Sequence, residues 1–202
     1  MELQALTDTI WQTFANAVAA IGEASAVQSA VETAVLEGAL GGVRGSDDEW
    51  DYDSWSDDED SVASYFIQSM KIRDAGVRGS ARGMLSIAIS FFRPEDRAGE
   101  GWSGGRRAKL YVGVAPTIKA WDKDSLLLDG SGCSDIAEAR DGYRWYRTDA
   151  PSAWFFCVAV DAIDSREALM REVMRPLAAL LGGAGHETAF AGATSLLHTP
   201  AF

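Results

Sequence analysis

The chain has 202 residues, 47% of them hydrophobic, with two cysteines and a net charge of −12. That supplies enough apolar material for one core but too few cysteines for a disulfide framework, and the charge is wrong for sequence-independent nucleic-acid binding. No run of about 18 residues is free of polar groups, so no membrane-spanning helix is expected. The opening "MELQALTDTIWQ" carries an early acid and no basic region, unlike a secretory signal. These features lead to the expectation of a cytoplasmic protein. Heavy use of Ala, Gly and Arg beside four Lys suggests a GC-rich bacterial genome.

Residues 2–40 are expected to be helical. Leu3, Leu6, Ile10, Phe14, Val18 and Ile21 recur every three or four positions, and Val27, Val31 and Val35 continue the stripe past Gly22 and Glu23. A bend or break is expected at that Gly–Glu pair. "GALGGVRG" supplies glycines to end the helix. If residues 24–40 project beyond the rest of the fold, their Val stripe would pair with a second copy in a C2 homodimer. Otherwise the whole helix packs on its own sheet.

An acidic loop is expected over 45–61. Nine of the chain's 30 acidic residues fall within 47–60; the other 21 stand against 18 basic ones, a balance of −3. The acidity is therefore a local device. The segment comprises Asp47, Asp48, Glu49, Trp50, Asp51, Tyr52, Asp53, Trp55, Asp57, Asp58, Glu59 and Asp60, with serines between. Runs of like charge often serve as interaction segments, and aromatics among the acids can anchor in a partner's apolar pockets while the carboxylates meet Arg or Lys. A basic protein partner is the expectation. Glu49, Asp51, Asp53, Asp57 and Asp60 also fall at the ligand offsets of a calcium loop, but Ser54 stands where that turn needs Gly. No metal or cofactor is therefore assigned.

The period then changes to two. Strands are expected over 61–73, 82–94 and 108–116. In the second, Leu85, Ile87, Ile89 and Phe91 alternate with Ser86, Ala88 and Ser90; in the third, Leu110, Val112 and Val114 alternate with Gly113 and Ala115. The sheet should have one face of large residues and one of small ones, and the small face is expected to receive the Ala-rich helix. Between these strands, "RPEDRAGEGWSGGRRAK" reads as a long hairpin loop in which Arg97, Trp102, Arg106 and Arg107 form a candidate anion-binding group. Docking of the acidic segment on this loop is a further reading.

"SDIAEARDG" suggests one or two helical turns. "YRWYRTDAPSAWFFCVAVDAI" reads as two strands, and its "WFFCVAV" run should lie inside the sheet with both faces covered. A helix is expected over 164–183, with Asp164 and Glu167 at capping-box spacing, Pro176 kinking or splitting it, and Gly182–Gly183 ending it. Residues 184–202 are weakly patterned and read as a tail. The whole reads as a single α+β domain, 1–202. About five mostly antiparallel strands within 62–163 are packed by a long N-terminal and a C-terminal helix. The order of elements is similar to that of small acidic secretion chaperones and of the PD-(D/E)XK nuclease core, an analogy of order alone.

Catalytic patterns lack their contexts. Ser103 sits in a G-x-S-x-G match, but no apolar strand precedes it and no helix follows. Cys133, His186 and His198 have no neighbours that would activate a thiol or form a zinc site. The nuclease pattern fails because Ser69 lies two before Lys71, and Arg107 two before Lys109, where an acid is required. No catalytic residue is assigned. The expectation is a non-catalytic binding or adaptor module resembling an immunity protein, a chaperone or a nucleic-acid mimic. The alternative is a metal-dependent, nuclease-like enzyme using the acidic segment's carboxylates.

Overall fold

The computed structural model describes residues 2–56, 63–74, 82–91, 108–116, 136–137, 143–147 and 152–197. Helix α1 (Glu2–Leu36) runs without interruption through Gly22 and Glu23, so the expected break does not occur. Ala, Glu and Gln are strong helix formers and carry the helix past one exposed glycine. It ends where Gly38 adopts φ 87°, a left-handed conformation that costs other residues energy.

Seven strands follow: β1 (Val43–Ser56), β2 (Ala63–Asp74), β3 (Gly83–Ser90), β4 (Lys109–Ala115), β5 (Ile136–Ala137), β6 (Trp145–Arg147) and β7 (Trp154–Ala159). They form one sheet in the order β1-β2-β3-β4-β7-β6-β5, and every pairing is antiparallel. The fold is α+β, with five long strands and two very short ones. Two strands differ from the sequence reading. Residues 43–56 are a strand rather than a loop, and Ile136–Ala137 pairs with β6 instead of turning helically. As expected, β7 is interior: it lies between β4 and β6 and all six of its residues are buried.

The C-terminal helix comes in three joined pieces: α2 (Arg166–Leu169), a π-helical turn (Met170–Met174) and α3 (Arg175–Leu181). Pro176 has no N–H to donate, and the wide turn just before it absorbs that loss. The cap is Ser165, whose hydroxyl accepts from the Ala168 N–H at 3.1 Å; the expected Asp164 cap is one residue too early. At the other end, Arg82 donates to the Leu181 carbonyl at 2.6 Å and pairs with Asp74 at 2.9 Å, tying the last helical turn to β2. A short helix α4 (His186–Phe190) follows.

Part of the expected tail joins the sheet. Leu196 bridges Val158, Ala159 donates to Ser195 and Leu197 donates to Cys157, so residues 195–197 take the edge of β7 that β6 leaves open.

The core lies on the large-residue face. Leu85, Ile87, Ile89, Leu110, Val112, Phe156 and Val158 meet Ala24, Val31 and Val35 of α1 and Leu169, Val173 and Leu177 of the C-terminal helix. Each large side chain so buried contributes about 1.5–3 kcal/mol. The expectation that α1 would pack on the small face is therefore wrong. The alanines of α1 let it approach closely, and Val31 and Val35 interdigitate with the large side chains of the sheet. Gln28 fixes the contact by donating to the Ile87 carbonyl at 3.4 Å. The Val stripe expected to face a second copy is used here, with Val31 and Val35 fully buried in the chain's own core.

Gly83 begins β3 against the end of β4, where a Cβ would run into the Ala115 backbone carbonyl. Backbone on both sides leaves no flexible side chain to yield. Gly83→Ala is expected to cost about 1–3 kcal/mol in urea unfolding.

Candidate protein-binding edge

The acidic segment occupies the outermost strand. β1 is 14 residues long and, among the described residues, pairs on one side only, with β2. An edge strand has a row of backbone N–H and C=O groups facing away from the sheet, and charge along it is a common protection against unwanted pairing.

Its register is uneven. Gly45 pairs with Ile72 and Trp50 with Met70, so the four residues 46–49 stand opposite Lys71 alone. Asp47, Asp48 and Glu49 thus fall in a bulge that interrupts the ladder. From Trp50 to Trp55 pairing is regular, against Met70 down to Tyr65. In this run Trp50 and Tyr52 hold register positions on the helix-bearing face of the sheet, and Asp51 and Asp53 hold positions on the other. The sequence W-D-Y-D is a period-two pattern, and that signal was there to be read. An extended strand spaces Asp51 and Asp53 about 6.6 Å apart. A calcium loop instead wraps its ligands around one point, so the calcium offsets do not translate into that geometry here. Asp57, Asp58, Glu59 and Asp60 lie outside the described residues, as do Arg97, Trp102, Arg106 and Arg107, Ser103, Cys133 and His198. The reading in which the two loops dock therefore also falls outside them.

The second face of the sheet, away from the helices, is also buried and carries polar groups among apolar ones. Ser69 and Ser86 share a hydrogen bond of 2.8 Å across β2 and β3. Lys109 is 1% exposed. Tyr111 lies opposite Cys157, and its ring meets Phe155 edge-on at 6.0 Å. Burial pushes the Cys157 thiol well up, against a smaller downward pull from Lys109, and burial likewise raises the Tyr111 phenol. A thiol so held is protonated and inert as a nucleophile. Among the described residues no group of three or more His, Cys, Asp or Glu is placed to hold a metal ion. No described helix is long and apolar enough to cross a membrane.

The residue that sequence reading missed is Glu172, fully buried in the π-helical turn. Its Oε2 accepts from the Thr194 N–H at 2.8 Å, the Ser195 N–H at 2.9 Å and the Ser195 hydroxyl at 2.8 Å. Its Oε1 accepts from the Thr194 hydroxyl at 3.0 Å and Arg171 Nε at 2.6 Å. Burial alone would raise the carboxyl's pKa, but hydrogen bonds from Arg171, the Thr194 N–H and the Ser195 hydroxyl and N–H outweigh it and lower the value to about 2. The helical spacing held a clue, since position 172 lies three after Leu169 and five before Leu177 on the buried face. The donors, 22 and 23 residues further on, left no such sign. A buried carboxylate saturated with donors is a structural clasp on the 194–197 segment; it has no remaining lone pair for chemistry.

Comparison with protein-family models, with curated proteins and with solved structures returns no match for this chain.

Proposed function

We propose that the protein is a non-catalytic binding module and that β1 is its partner-contact segment, which takes an extended basic segment by strand addition. The observation that carries this reading is the position of β1: a long acidic strand at the end of the sheet order with its outer side unpaired among the described residues. Strand addition gains affinity from main-chain hydrogen bonds and specificity from alternate side chains. The regular run Trp50–Trp55 supplies the ladder, and the acids along β1 favour Lys- and Arg-rich segments over acidic ones. A cytoplasmic, bacterial setting accords with the composition and with Cys157 as a free, buried thiol.

The test is a pull-down from host lysate, using the wild-type chain beside a variant with the Asp and Glu residues of 47–60 changed to Asn and Gln. A basic protein retained by the first and lost by the second is expected. Its retention should weaken steeply as salt rises, because the contacts lie at a solvated edge. Equal retention of the same proteins by both baits would refute the reading.

A further inference from the structure

A cleft of about 950 Å³ opens between α1 and the ends of β3, β4 and β7, and the start of α2 closes it. Its floor is apolar, formed by Val27, Phe91, Ala108, Val160, Ile163 and Leu169. The α1 wall is made of Ala20, Ala24, Ala30 and Ala34, whose short side chains leave the space open. The polar boundary holds Ser29, Thr33 and Ser165 together with three acids. Glu23 stands on the α1 wall, and Asp161 and Asp164 stand on the wall formed by the β7–α2 junction. Arg166 is the cation in the described lining, and it is engaged by Glu37 at 2.7 Å. Glu23 and Asp164 have no ion pair among the described residues. No β1 residue is part of the described lining, so this site is separate from the proposed partner edge.

We propose that the cleft binds a small organic cation with an apolar body, such as an arylalkyl amine. The body lies on the Val27–Leu169 floor and the charged head lies between Glu23 and Asp164. The volume falls in the range of small-molecule sites, and such sites combine an apolar lining with a few polar groups that set orientation. The charge at the mouth decides between head groups: a cation gains from two carboxylates, a neutral head gains nothing, and an anion is repelled.

The test is calorimetric titration of the full chain with three probes sharing one apolar body: 4-phenylbutylamine, 4-phenylbutanol and 4-phenylbutyrate. The amine is expected to bind about tenfold or more tighter than the carboxylate, with the alcohol between them. The double variant Glu23→Gln, Asp164→Asn changes only exposed side chains and should fold normally. It should remove most of the amine's advantage over the alcohol and leave the alcohol unchanged. Ala30→Trp places a bulky ring in the cleft and should weaken binding of all three, with urea unfolding to confirm that it folds. Equal binding of amine and carboxylate, an amine preference undiminished in the double variant, or no binding by any probe would each overturn the proposal.

Discussion

Glu172→Gln is expected to lower the stability of the fold by about 3 kcal/mol at pH 7. The carboxyl's pKa falls from an ordinary value of 4.5 to about 2 on folding. A depressed folded-state pKa means that the folded protein holds the anion more firmly than the unfolded chain does. The contribution is therefore complete above about pH 4.5 and is lost as pH falls toward 2. The amide matches the carboxylate in shape but not in hydrogen bonding. Wherever its NH2 group is placed it meets donors: Thr194 and Ser195 on one side, or the Thr194 hydroxyl and Arg171 on the other. Urea unfolding of both proteins between pH 7 and pH 3 checks this. The gap between them should be constant down to about pH 5 and should narrow below it. A gap that does not change with pH would show that packing, rather than charge, supplies the difference.

Phe156→Ala is expected to cost about 3–5 kcal/mol, the range for deleting a fully buried aromatic ring. Phe156 is 0% exposed, on the core face of β7. Its ring meets Phe190 of α4 edge-on at 5.3 Å and 69°, and Phe190 in turn meets Tyr143 at 5.6 Å. The cavity left behind would be walled by a central strand on one side and helices on the other, and neither can move in to fill it. Phe156→Leu keeps most of the volume and should cost less than about 1.5 kcal/mol. Comparing the urea midpoints of the two variants separates lost volume from lost aromatic geometry.

Glu172 was hard to foresee, whereas Phe156 lies on a strand that was not. β3, β4 and β7 were legible because their residues alternate, or are apolar throughout, over a full strand length. β1 was not legible as a strand because nine carboxylates within 47–60 read as a partner-binding loop, and that run of charge masked the alternation of Trp50, Asp51, Tyr52 and Asp53. Charge and strand structure are compatible at a sheet edge, where one side of the backbone faces solvent. The two faces of the sheet were legible, but their assignment was inverted: the helix brings Ala24, Val31 and Val35, and these fit beneath Ile87 and Leu110 rather than beside Ser86 and Gly113. Pro176 announced a disturbance of the helix, but not its form as a π-helical turn. The cleft could not be read at all, because α1, Phe91, Ala108 and the 160–170 segment are far apart in the chain and meet only in the fold.

The clasp on Glu172 also bears on how the protein is made. Ribosomes release a chain from its N-terminus, so α1, all seven strands and the helix bearing Glu172 emerge before Thr194 and Ser195. Until those two residues appear, docking that helix would bury an anion with four of its five donors missing, at a cost of several kcal/mol. Early docking of the helix with Glu172 ionised is therefore disfavoured. The core closes when residues 194–197 arrive, supplying the donors and filling the open edge of β7 in the same step. Residues near the end of the described fold are thus needed to seal its core.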